Sequence, residues 1–153
     1  KSREALSRIC SIIDRADILS NSVPKKQYIP KYSHVFWIGD FLTSLDKTKE
    51  IVEYYAANGV QGCLLQVLDP AELSLPFNGR IIFGGMESKE NDVLIREVDS
   101  VRQDYQHEIK KHNDRLQTIF QSVGWGFFSH RTDEKAETAL KDLYVYFSSL
   151  NGN

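Results

Sequence analysis

Cysteine is scarce in this chain: Cys10 and Cys63 are the only two, and they form no CxxC pair. That leaves thiolate zinc sites and dithiol redox chemistry without support, and it fits a reducing cytoplasm better than a disulfide-stapled secreted scaffold. Both thiols are expected to be buried small hydrophobes, Cys10 in a helical pattern and Cys63 in an apolar strand. Charge of one sign is also missing. With 19 Lys and Arg against 21 Asp and Glu, the formal net charge is -2, so there is no electrostatic footprint for nucleic acid or an anionic membrane. No apolar run approaches the roughly 18 residues of a membrane span, and no signal peptide is visible. GxGxxG, GxxxxGK[ST] and GxSxG are absent. Dinucleotide binding, P-loop phosphate binding and serine hydrolysis therefore all lack their signatures.

What is present fits one globular domain. The 153 residues are 41% hydrophobic and 26% charged, enough for a single core and too few for two ordinary domains. The chain starts at Lys1 without a methionine and reads as a fragment. Residues 2–19 place Leu6, Ile9, Ile12, Ile13 and Ala16 on one side of an amphipathic helix, and residues 20–33 form a Pro- and Lys-containing connection.

The organising stretch is HVFWIGDFL, His34 to Leu42. A continuous apolar run of this length predicts a strand buried on both faces, as in a parallel sheet. TSLDKTKEIVEYYAANG follows as a helix, with Thr43 or Ser44 at its N-cap, Leu45, Ile51, Val52 and Tyr55 on one face, and Asn58-Gly59 as its stop. VQGCLLQVLDP, Val60 to Pro70, is a second apolar strand ended by Asp69. Strand, helix, strand implies a parallel pair.

RIIFGGM and DVLIREV then read as an inserted antiparallel hairpin. Gly84-Gly85 reads as a bulge or bend in its first strand, because no helix start follows to make a phosphate cradle. A long helix spans Asp99 to Ser122, with Val101, Tyr105, Ile109, His112 and Leu116 at helical intervals, and Gly124 closes it. WGFFSHRTD supplies a third parallel strand, and EKAETALKDLYVYFSSL a last helix capped by Thr132 or Asp133. The fold class is α/β: a partial doubly wound, mostly parallel sheet flanked by helices, with an inserted hairpin.

Three parallel strands bring Asp40, Asp69 and the His130-Arg131-Thr132-Asp133 group to one sheet edge, where open α/β sheets collect ligands. The expected binding residues are Asp40, Asp69, Arg131, Thr132 and Asp133. Each acid also has a plainer reading as a helix cap or turn former. His107 and His112 lie five apart on the long helix, the wrong spacing for a metal pair. The helix-spaced aromatics Tyr54, Tyr55, Tyr144, Tyr146 and Phe147 read as core.

GDFLTSL, GCLLQVLDPAELSLPFNGRIIFGG and WGFFSHRTDEKAETAL together resemble the C-terminal half of the bacterial domain-of-unknown-function 58 family, whose members are von Willebrand factor A-like. The resemblance covers nearly everything from His34 to Leu150. It implies a single domain over residues 1–153 that lacks its N-terminal strands. It also implies a metal-ion-dependent adhesion site, in which Asp40 matches the third-loop aspartate. The D-x-S-x-S motif and the second-loop threonine of such a site are missing here. A magnesium ion is therefore expected only in a complete domain whose other half supplies the remaining ligands, and no cofactor is expected in this chain.

By the same resemblance, the expected function is non-enzymatic: a cytoplasmic protein-interaction module partnering a MoxR-type AAA+ ATPase in assembly or activation of other complexes. The competing expectation is a metal-assisted hydrolase, with Asp40 and Asp69 holding an ion and His130 as base. Without the missing strands, HVFWIGD would be a bare sheet edge, expected to be covered either by self-association with another copy or by the N-terminal helix folding over it.

Overall fold

The structure is a computed structural model, and it describes residues 4, 7, 8, 10, 11, 23–83, 93–95 and 97–150. Of the predicted 2–19 helix, the five described residues are helical; the rest of that prediction, and the predicted bulge at Gly84-Gly85, lie outside the described residues. Within them the chain runs β1 (His34–Gly39), α1 (Leu45–Ala57), β2 (Gln61–Leu68), α2 (Pro70–Ser74), β3 (Ile81–Phe83), β4 (Val93–Ile95), α3 (Val98–Ser122), β5 (Gly126–Arg131) and α4 (Ala136–Leu150). It is a mixed α/β fold. β1, β2 and β5 form a parallel sheet in that order, and β3 and β4 form a separate antiparallel pair.

The element boundaries have local causes. Ser44 stands at the N-cap of α1 with no side-chain cap bond, and Asn58 ends the helix. Gly59 then takes a φ of +73°, a conformation that only glycine adopts without strain. Gly124 does the same after α3, at +76°. Because α4 starts at Ala136, neither Thr132 nor Asp133 caps it, contrary to expectation; Asp133 is instead held by Arg131.

Strand alternation divides the core in two. On one face, Trp37, Leu64 and Trp125 pack with Ile51, Val52 and Tyr55 of α1 and with Leu116 and Phe120 of α3. On the other face, Cys63 and Leu65 meet Ala139 and Leu143 of α4, with Phe128, Tyr146 and Phe147 beside them. α4 also enters the sheet ladder: the Tyr146 hydroxyl accepts a hydrogen bond from the Gly126 amide at 3.0 Å and donates to the Gly62 carbonyl at 3.1 Å. Gly126 is glycine because a Cβ there would sit 2.8 Å from the Tyr146 ring.

Three expectations need correction. β1 is not buried on both faces: Trp37 is buried, while Phe36 and Ile38 on the opposite side are 39% and 63% exposed. β2 is the strand covered on both faces, because it is the one paired on both sides. Tyr54 and Tyr144 are exposed rather than core. Cys10 is exposed as well, whereas Cys63 is buried as expected.

Candidate functional site

Parallel register brings the three strand ends to one edge, with Gly39 opposite Gln66 and Leu68 opposite Arg131. Asp69 and Thr132, 63 positions apart in the chain, meet there: the Thr132 hydroxyl donates to Asp69 Oδ2 at 3.1 Å, and the Thr132 amide donates to the Leu68 carbonyl at 3.0 Å. Asp69 is at the same time the N-cap of α2. Its Oδ1 accepts from the Ala71 amide at 2.8 Å, and Glu72 Oε2 accepts from the Asp69 amide at 2.9 Å, a reciprocal capping box. Asp69 is therefore a helix cap that also stands at the sheet edge beside Thr132.

Arg131 and Asp133 form a second unit. The guanidinium donates from Nε and Nη2 to the two carboxylate oxygens at 3.0 and 2.6 Å, and this pairing pushes Arg131 above its ordinary pKa. Both side chains are about half exposed, so the pair contributes little to stability. Asp40 stands apart. Its Oδ1 accepts from the Leu42 amide at 3.2 Å, closing an Asx turn. Among the described residues, no hydrogen bond or ion pair joins Asp40 to either of the other two units, or joins His130 to Asp40 or Asp69.

The residues that hold this edge in place were not anticipated. Gln66 is only 1% exposed, and its Nε2 donates both to the Asp40 carbonyl at 3.0 Å and to Asn113 Oδ1 at 2.9 Å. His112 Nε2 lies 2.7 Å from the Phe41 carbonyl, so that nitrogen carries the proton. Phe41 has a φ of +56°, a conformation costing of order 1–3 kcal/mol for a non-glycine residue. The kink turns its ring inward to stack on Trp37 at 6.1 Å. β2 and α3 thus clamp the loop that presents Asp40.

α3 fastens the second loop as well. The Tyr105 hydroxyl donates to the Glu72 carbonyl at 2.7 Å, Gln106 Nε2 donates to the Ser74 carbonyl at 2.9 Å, and Arg102 reaches the Leu75 and Phe77 carbonyls at 3.0 and 2.6 Å. The loops after β1 and β2 are consequently tied to α3 by several hydrogen bonds.

As a metal centre the edge is incomplete. Among the described residues, no group of three His, Cys, Asp or Glu side chains could hold an ion, and Asp40 brings a single carboxylate. The residues present do not supply the coordination shell that magnesium takes.

A family model described as "Protein of unknown function DUF58" matches residues 12–115. The chain belongs to the DUF58 family. The match takes in the β1 and β2 phrases with Asp40 and Asp69, and it ends before the Arg131-Thr132-Asp133 phrase of β5. No curated protein matches this DUF58 chain. Two solved structures are similar to it. One is the conserved hypothetical protein BatB from Bacteroides thetaiotaomicron, at 15% identity and a TM-score of 0.37, with 86% of this chain and 55% of that one covered. The other is an uncharacterized membrane spanning protein from Vibrio fischeri, at 12% identity and a TM-score of 0.37, with 94% and 65% covered. The chain therefore spans about half to two thirds of the length of these structures. Among the described residues, no helix of the DUF58 chain is long and apolar enough to cross a membrane.

Proposed function

We propose that this DUF58 chain is a non-enzymatic docking module that works in the bacterial cytoplasm with a MoxR-type AAA+ ATPase, in assembly or activation of other complexes. The observation that carries this reading is the exposed polar edge, where Asp40, Asp69 with Thr132, and Arg131 with Asp133 sit as three separate units. Separate fixed charges suit recognition of a partner surface, in which complementary potentials set register and specificity. Catalysis would instead need a titratable base converging on a reacting group. A metal-assisted hydrolase at this edge would also have to compete with both hydrogen bonds that Asp69 now accepts, from the Ala71 amide and the Thr132 hydroxyl. That competition favours docking.

The test is a pull-down with the MoxR-type ATPase of the same organism, using the full-length domain. Wild type retains the ATPase, and a variant combining Asp40→Ala, Asp69→Ala and Asp133→Ala loses it. Undiminished retention by the variant, or no retention by wild type, overturns the reading.

A further inference from the structure

Beside the polar edge, the loop after β1 and the outer side of α3 enclose a groove of about 410 Å³. Leu42 and Leu45 line it from one side, and Tyr105 and Ile109 from the other. Most polar groups around it are already committed. The Tyr105 hydroxyl is bonded to the Glu72 carbonyl, His112 Nε2 to the Phe41 carbonyl, and Glu108 to Lys111 at 3.2 Å. Arg115 is the exception. Among the described residues, neither Arg115 nor Lys110 has a carboxylate within ion-pair distance.

Lys111 and Arg115, one helical turn apart, form a ridge shared with a second hollow of about 330 Å³, which His107, Lys110 and the carboxylate of Asp114 also line. With Arg115 and Lys110 against Asp114, the charge left unpaired beside the apolar floor is positive on balance. A purely acidic ligand would leave the floor wet, and a basic one would face Arg115 and Lys110 with like charge.

We infer that this groove takes an acidic peptide segment of a partner protein, which seats an apolar side chain against Leu42, Leu45 and Ile109 and gives a carboxylate to Arg115. The guanidinium fork suits a carboxylate bidentately, and such charge-assisted bonds are the strong ones. The inference rests on the docking reading and names the partner chemistry next to the same edge.

Fluorescence anisotropy on the full chain tests it with two labelled peptides, one alternating Glu and Leu and one alternating Lys and Leu. The Glu-Leu peptide binds and weakens as salt rises, while the Lys-Leu peptide does not bind. Arg115→Gln and Leu42→Ser each lower the affinity about tenfold, the first by losing a hydrogen bond to a charged group and the second by losing buried apolar surface. Both positions are exposed, and an unchanged melting temperature confirms that the variants fold. No binding of the Glu-Leu peptide, equal binding of the Lys-Leu peptide, or unchanged affinity in both variants overturns the groove. If the ATPase is retained equally by wild type and Arg115→Gln while the peptide fails to bind, the groove is wrong and the docking reading stands. If the peptide binds as described but wild type does not retain the ATPase, the docking reading fails and the groove stands.

Discussion

Cys63 has no exposed surface, and burial raises its thiol pKa from 9.0 to about 11. In the unfolded chain the thiol ionises near the lower value, while in the folded chain it stays protonated until the higher one. Between them the unfolded state holds fewer protons, so stability falls as pH rises across that window. Burial raises the Tyr105 and Tyr146 hydroxyls too, adding to the fall in the same direction. Urea midpoints are therefore expected to decline from pH 9 to 11, and Cys63→Ala flattens part of the decline; an identical pH profile in that variant would show that Cys63 carries none of it. Gln66 makes the matching point about reading residues. It interrupts the apolar run CLLQVL, and a polar side chain in a doubly covered strand must find partners. That signal was present in the sequence. Its partners, the Asp40 carbonyl and Asn113, come from distant positions that only the fold joins.

At the level of elements, the periodicities located the three parallel strands and the three long helices among the described residues, since apolar runs and long helical periods of this kind have few other readings. Which strand lies in the middle was not legible. An apolar run reports the hydrophobicity of a strand and says nothing of its neighbours, so β1 and β2 looked alike although only β2 is paired on both sides. The meeting of Asp69 with Thr132 followed from parallel pairing, whereas the cap on α4 failed because that helix begins only at Ala136, beyond Thr132 and Asp133. The capping box on α2 gives Asp69 a structural role that can be separated from docking. Asp69→Ala is expected to lower the unfolding free energy by about 1 kcal/mol, and Asp69→Asn to recover most of it, since Asn is also a good cap. Equal urea midpoints for all three proteins would mean that the cap contributes nothing.

For the whole molecule, the sheet faces are unevenly covered. α1 and α3 pack on one face and α4 on the other, leaving Ile38 and Phe36 exposed on a strand that pairs with β2 alone among the described residues. An apolar edge strand is a template for pairing with another copy. Gel filtration of this chain is expected to show concentration-dependent association that Ile38→Lys abolishes, and a strictly monomeric wild type would overturn that expectation. The pairing of β2 with β5 has a further consequence for how the chain tolerates change. Residues as far apart as Asp69 and Thr132, separated by 63 positions, are joined across it, and the β3–β4 insertion lies wholly inside the loop so closed. Loop-closure entropy grows only logarithmically, by about 0.6 kcal/mol for each doubling of length. The β1–α1–β2 unit can form from neighbouring residues before that loop closes, so lengthening or shortening the insertion would cost the sheet little.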